Sequence, residues 1–295
     1  MTTAPVRHGI VAGIDGSDSA LEAAKWAAAA AERFGEPVYL THVVRGNSDL
    51  ASLGDDEVAT RDAHPNSHAF LDAAETAIRD GRTNLTLERR IRQGPPAKAL
   101  VEMSRTARML VLGPAETTEM QSVFVGSNVV RIANHAKCPV VVWRGPAVPA
   151  DQDDRPIVVG VDGSDLSDMA VAHAFEFAAF FGAPLVAVHT WSEHSSLGGY
   201  SEARRFIDWA PHEEHEHAVL AEALAGWSEK YPDVEVTHSV QRGGPMKILL
   251  EHSAEARMVA VGSHGRNPFM ASVVGSTSQA LIHRAWCPVL ICREG

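Results

Sequence analysis

Val11-Ala12-Gly13-Ile14-Asp15-Gly16-Ser17-Asp18 is an apolar run that ends in an aspartate-glycine-serine turn, and it returns as Val159-Gly160-Val161-Asp162-Gly163-Ser164-Asp165. Two further stretches recur in the same order. Ala107-Arg108-Met109 ahead of Val111-Leu112-Gly113 returns as Ala256-Arg257-Met258 ahead of Ala260-Val261-Gly262, and Lys137-Cys138-Pro139-Val140 as Trp286-Cys287-Pro288-Val289. Asp15 and Asp162 are 147 positions apart, while Gly113 and Gly262, like Cys138 and Cys287, are 149 apart. A near-constant offset along the whole chain is the mark of a tandem duplication with a small insertion in the second copy. The points at which the copies differ then identify which half keeps a working site.

Around these stretches each half alternates short apolar runs with helix-patterned segments. The runs of the first half are Ile10–Ile14, Val38–Val44, Leu85–Ile91, Met109–Leu112 and Val140–Trp143; helices are expected over Ser19–Phe34, Ser67–Arg79, Ala97–Thr106 and Asn128–His135. Ser17 to Ala20 supplies helix caps, Gly35 a helix stop, and Ala23 to Ala31 a closely packed face. The second half repeats the runs as Ile157–Val161, Leu185–His189, Val234–Val240, Met258–Val261 and Val289–Cys292. Strands that are apolar throughout and alternate with helices predict parallel sheets covered on both faces. The expected architecture is α/β: two tandem doubly wound, Rossmann-like domains, each with a five-stranded parallel sheet. Their boundaries are read as 1–145 and 157–295, joined by a proline- and acid-rich linker at 146–156. The polar connections 45–64 and 192–211 match poorly between copies, and no chemistry is assigned to them.

Composition narrows the function. The chain has 295 residues, 45% hydrophobic and 21% charged, with a formal net charge of −11. No basic run breaks the acidic balance, which argues against nucleic-acid and acidic-membrane binding. No signal peptide or membrane-spanning apolar stretch is read, and the three cysteines suit reduced core thiols of a cytoplasmic protein rather than a disulfide framework.

In a doubly wound sheet, ligands bind at the carboxyl ends of the strands where the strand order reverses. That places Asp162, after the first strand of its half, opposite Gly262-Ser263-His264-Gly265-Arg266, with Gly275-Ser276-Thr277 opening the next helix. Glycines allow a phosphate close to the backbone, a helix start offers N–H groups and a favourable dipole, and Asp162 suits an amine or hydroxyl donor. The spacing glycine, two residues, glycine, nine residues, glycine, serine is filled by Gly262, Gly265, Gly275 and Ser276. Together with Thr41-His42-Val43, Val188-His189-Thr190 and the terminal Cys-Pro-Val strands, it resembles the ATP-binding subgroup of the universal stress protein family, in both halves of the chain.

The resemblance implies a sheet order of three-two-one-four-five, and ATP, alone or with Mg2+, as ligand. Adenine would lie near Gly160, Asp162 and Thr190, and the triphosphate over Gly262, Ser263, His264, Gly265, Arg266, Gly275, Ser276 and Thr277. It also implies an intramolecular pseudo-dimer of the two domains about an approximate two-fold axis through their last strands, a possible homodimer, and a regulatory protein partner. Function is then nucleotide-dependent regulation of growth or of the stress response. A nucleotide-independent interaction module and a slow ATP hydrolase are the alternatives.

The first half departs from the pattern. Its weaker candidates are Gly13, Asp15, Val43, Gly113, Gly126 and Ser127, but Gly113-Pro114-Ala115-Glu116-Thr117 replaces the glycine loop. Pro114 removes an N–H, Glu116 replaces the second glycine and Thr117 the arginine. A carboxylate about 4 Å from a phosphate charge is repelled by roughly 4 kcal/mol at an effective dielectric near 20. The first half is therefore expected to bind ATP weakly or not at all; with Glu116 in solvent, Asp15, Gly126 and Ser127 would still hold it.

Other features have plain readings. Asp15 and Asp162 can serve as turn and cap residues, Gly13 and Gly160 as packing glycines, and His42 and His189 as hydrogen-bonded core histidines. His212-Glu213-Glu214-His215-Glu216-His217 lacks the histidine spacing of the zinc-protease motif and is read as a solvated acidic helix face. Trp209, Trp227 and Tyr231 are read as packing aromatics. Neither a nucleophile elbow nor a Walker phosphate loop occurs in the sequence, so neither catalytic residues nor a metal site are assigned.

Overall fold

The computed structural model describes residues 8–44, 65–79, 84–114, 127–145, 153–192, 209–265 and 274–293. Glu116, Thr117, Gly126 and Arg266, most of the linker, and nearly all of the two long connections lie outside these residues. The chain divides into two compact units, Met1–Ala147 with Arg293–Gly295, and Val148–Cys292.

In the first unit the order is β1 (Ile10–Gly13), α1 (Asp18–Phe34), β2 (Val38–Val44), α2 (Pro65–Arg79), β3 (Leu87–Gln93), α3 (Pro96–Met103), β4 (Met109–Leu112), α4 (Ser127–His135) and β5 (Val140–Val142). The strands are all parallel and ordered β3-β2-β1-β4-β5. The second unit repeats this as β6 (Ile157–Val161), α5 (Asp165–Phe181), β7 (Leu185–Trp191), α6 (Ala210–Leu224), a one-turn α7 (Trp227–Lys230), β8 (Val236–Arg242), α8 (Pro245–Ser253), β9 (Met258–Gly262), α9 (Ser276–Arg284) and β10 (Val289–Cys292). Its parallel order is β8-β7-β6-β9-β10. In each unit the chain reverses direction across the sheet between its first and fourth strands, which leaves their carboxyl ends facing one crevice.

Local chemistry sets the elements. Ser17 caps α1 by accepting the Ala20 N–H at 3.2 Å, and Ser164 caps α5 from Ser167 at 3.3 Å. Both helices end on a left-handed glycine, Gly35 (φ 64°) and Gly182 (φ 61°), whose N–H returns to the last turn. The buried face of α1 is Ala23, Ala24, Ala27, Ala28, Ala30 and Ala31, so helix and sheet approach closely. The aromatics also pack as expected: Phe175 stacks on Trp227 and Tyr231, and Trp191 contacts Trp209.

The edge strands start two residues later than the apolar pattern indicates. β3 runs to Gln93 because β2 offers partners to Val44, paired with Gln93. Its charges are occupied rather than simply solvated: Arg89 bridges Asp72 and Glu75 at 2.5 Å each, and the Arg90 guanidinium lies 3.5 Å over the Tyr39 ring. A charged edge of this kind also discourages further strand pairing. β8 shifts in the same way, from Val234 to Val236, in register with β7.

Cys138, Cys287 and Cys292 are buried free thiols, and burial pushes the Cys287 thiol up to about 12. Among the described residues, no helix is long and apolar enough to cross a membrane.

The stretch ahead of β6 is anchored by Asp153. Its carboxylate accepts from Arg155 Nε at 2.7 Å and Nη2 at 2.9 Å, and its carbonyl accepts from Arg257 Nη1 at 2.8 Å. Burial alone would raise its pKa, but the Arg155 hydrogen bonds and charge, with Arg257 behind them, hold it below the usual carboxylate value. A lowered native pKa gives stability that is present above the unfolded value and lost as pH falls through the native one. Asp153→Asn should therefore lower thermal stability at neutral pH by on the order of 1 kcal/mol. Thermal melts of both chains should converge as the pH drops below about 4.

Candidate functional site

In the second unit three chain segments meet beyond the strand ends. Asp162 follows β6, and its Oδ1 accepts the Ser164 N–H at 3.0 Å and the Ser164 hydroxyl at 2.7 Å, while its own N–H donates to Ser167 Oγ at 3.1 Å. The turn reading thus holds for Asp162, while the cap of α5 is Ser164 rather than the aspartate, and this turn fixes the Asp162 carboxylate at the crevice. Gly262 ends β9 against the N-terminal turn of α5, where a Cβ would stand 2.9 Å from Leu166 Cβ. The Ser263 N–H donates to the Cys292 carbonyl at 2.8 Å, and the Ser263 carbonyl accepts the Gly275 N–H at 2.7 Å. Ser278 Oγ adds a bond to the Gly262 carbonyl at 2.7 Å. The start of α9 is thereby tied to the end of β9.

These ties close a cleft of about 420 Å³ whose lining brings together Gly160, Asp162, Thr190, Gly262, His264, Gly265, Gly275, Ser276 and Thr277. Ser263 is not on the wall: it is buried and acts through its backbone. Gly265 packs against the aspartate so closely that a Cβ would stand 2.6 Å from Asp162 Oδ2, and a Cβ on Gly275 would lie 3.4 Å from His264 Cα. Gly275 caps α9 without a side chain, so it offers no capping oxygen to the first-turn N–H groups of that helix. Anions are favoured at such an end. One end of the cleft thus carries a carboxylate acceptor, and the other a glycine-rich loop with a helix start.

The sequence reading missed the apolar floor, which is made by Val161, Val188, Trp191, Pro245, Leu249 and Val261. A signal for part of it was present: Gly243 and Pro245 lie 149 positions after Gly94 and Pro96, directly beyond the third strand of each copy.

The first unit has a smaller cleft of about 290 Å³, on which Gly13, Asp15, Val43 and Gly113 lie. Asn128 rather than Ser127 lines it; Ser127 is exposed. Asp15 Oδ1 accepts the Ser17 N–H at 3.0 Å and hydroxyl at 2.6 Å, matching Asp162. The loop exit differs, because the Pro114 carbonyl accepts Ser19 Oγ at 2.6 Å.

The solvated-face reading of 212–217 needs correction. Glu216 turns inward, where its Oε2 lies 2.6 Å from Nε2 of the buried His189 and its Oε1 3.2 Å from His212 Nε2. The ring Nδ1 of His189 donates to the Val161 carbonyl at 2.8 Å, so the expected hydrogen-bonded core role holds, with a carboxylate partner added. Glu213, Glu214, His215 and His217 are exposed as expected. Glu216→Ala would leave the His189 Nε2 buried without its partner, a loss of about 1–3 kcal/mol. Urea unfolding should show it as a lower midpoint, while the exposed Glu213→Ala shifts stability by less than about 0.5 kcal/mol.

Comparison with known proteins agrees with this architecture. The universal stress protein family pattern matches residues 7–144 and 155–293. A universal stress protein of Mycolicibacterium smegmatis is 33% identical over 297 residues, with 99% of each chain covered. One of Mycobacterium tuberculosis is 34% identical over 301 residues, with 98% of each covered. The crystal structure of a universal stress protein from Archaeoglobus fulgidus superposes with a TM-score of 0.67 at 20% identity, covering 99% of each chain, and shows the same fold. Two family domains in tandem, each a Rossmann-like parallel α/β sheet, make this chain a member of the universal stress protein family.

Proposed function

We propose that the second unit binds ATP and that the protein is a cytoplasmic, non-enzymatic regulator whose state follows nucleotide occupancy. The observation that carries this reading is the convergence of Asp162, the Gly262–Gly265 loop and the uncapped start of α9 on one cleft. Asp162 accepts from the ribose hydroxyls or base amine, Thr190 lies beside the base, and the phosphates take the loop and helix N–H groups. Arg266, from the same loop, adds a cation. Two of the serine hydroxyls that line the crevice, Ser167 and Ser278, are engaged in holding backbone. A protein partner reads the occupied state; a slow hydrolase is the variant of this reading that has turnover.

The first test is nucleotide released by heat denaturation of the purified protein, quantified per chain, with and without EDTA to separate metal-bound from free ATP. Near one ATP per wild-type chain is expected, and none from Gly265→Glu, whose side chain would start 2.6 Å from Asp162 Oδ2. ATP added to stripped wild-type protein at about 100 times its Kd should stabilise it by about 2.7 kcal/mol. Two ATP per chain would sink the one-site reading, and none after ATP is restored would favour a nucleotide-independent interaction module. The exposure of Trp286, 66% open on the second unit, is the observation that module would build on.

A further inference from the structure

The buried His189 sets a hydrogen-bond count that its partners do not balance. Its Nδ1 lies 2.8 Å from the Val161 carbonyl, which can only accept, so Nδ1 carries a hydrogen. In a neutral imidazole Nε2 is then an acceptor. Yet Nε2 lies 2.6 Å from Glu216 Oε2, and an ionised carboxylate also only accepts. Two acceptors at that distance, one of them charged and both largely withdrawn from water, repel. A proton between them turns the contact into a charge-assisted bond. The described residues hold no group of three His, Cys, Asp or Glu side chains placed to bind a metal ion, so a proton is the remaining bridge.

The bridge joins a covering helix to a strand that reaches the cleft. Glu216 lies in the middle of α6, and its Oε1 is 3.2 Å from Nε2 of His212, one turn earlier. The His212 ring meets Trp191 edge-on at 4.9 Å, and Trp209, directly ahead of α6, packs on Trp191 at 5.7 Å. Trp191 and Thr190 follow His189 on β7, and both line the cleft. In the first unit His42 makes the same strand-end bond at 2.7 Å but meets the ring of Phe70, so the bond is kept there without the bridge. Other charged groups stand on the elements around the pair. By alternation with Val240, which pairs with His189, β8 turns His238 and Arg242 to the same side. His238 is exposed, and the Arg242 guanidinium lies 5.8 and 5.9 Å from the Trp191 and Trp209 rings. The turn after β6 brings Asp162, held by Ser164, and the first turn of α5 brings Asp168, whose carboxyl is pushed up by burial and by Asp165 and Asp162.

We propose that the His189–Glu216 pair is a proton-operated latch: its bridging proton fastens α6 to β7, and loss of that proton above neutral pH releases the helix from the strand that lines the cleft. An unfolded histidine gives up its proton above about pH 6.5, and an unfolded glutamate above about 4.3. Above neutrality the native pair therefore holds one proton that the unfolded chain does not. The stability supplied by the latch is full near about pH 6 and declines as the pH rises. The latch acts within the protein itself, whatever ligand the cleft takes.

The experiment is urea unfolding of the full chain between about pH 6 and 9, in three forms: wild type, Glu216→Gln and Glu216→Ala. A glutamine amide N–H donates to the neutral Nε2, so Glu216→Gln keeps a bond that needs no extra proton, while Glu216→Ala removes the bond. The remaining charged groups are common to all three chains, and their titration cancels in the differences. Wild type is expected to lose stability relative to Glu216→Gln as the pH rises, with the ratio of their unfolding constants changing by up to about tenfold per pH unit. Hydrogen exchange at matched pH should place the change in α6: protection there falls in wild type relative to Glu216→Gln, while protection of α8 stays equal. Parallel pH profiles for these two chains overturn the proposal, and so does a wild type that gains on Glu216→Gln with rising pH or a loss of protection spread evenly over α6 and α8. If Glu216→Gln does not fold, wild type is compared with Glu216→Ala, whose pH profile must be the flatter; equal slopes overturn the latch.

Discussion

The backbone of Ser263 is the junction on which the second cleft depends. Its N–H is spent on Cys292 and its carbonyl on Gly275, so one residue joins the end of β9, the end of β10 and the start of α9. The glycines on either side lie against this closure: a Cβ on Gly265 would displace the Asp162 carboxylate, 2.6 Å away, and one on Gly275 would stand in van der Waals contact with His264.

The same junction explains why the two copies diverge as they do. Pro at position 114 forfeits the N–H arm, and the freed carbonyl finds a hydroxyl on α1 instead. Ser19 is matched in the second copy by Leu166, which has no hydroxyl to make that bond. The pair of changes, proline into the loop and serine onto the helix, is coherent: each makes sense of the other.

Much of this was legible in the sequence because duplication prints each constraint twice. Strand order followed from the family resemblance, the helix cap at Ser17 from the serine turn before α1, and the clustering of Asp162 with the glycine loop from the crevice rule for doubly wound sheets. What escaped has physical causes. The edge strands β3 and β8 end two residues beyond the apolar pattern, because pairing with β2 and β7 carries them to Gln93 and Arg242. Ser263 has the residue type of a phosphate contact, yet its backbone is consumed by the fold. Ser127 and Asn128 are adjacent in sequence, and only the helical phase of α4 decides which of them faces the cleft.

Glu216 shows the same limit from the other side. In a run of six charged or titratable residues, composition says solvent, and four of the six obey. His212 and Glu216 are four apart, so they share a helix face, and that face is the one turned to β7. The buried imidazole of His189 settles the matter: with Nδ1 committed to Val161, its Nε2 requires an acceptor or donor from the covering helix. In the first unit His42 makes the identical strand-end bond, but α2 brings the ring of Phe70 to it, edge-to-face at 5.4 Å. The conserved part of the histidine's work is thus the bracket at the end of the first strand, directly before the aspartate. The carboxylate is a second-copy addition that ties α6 to the strand that carries Thr190 and Trp191.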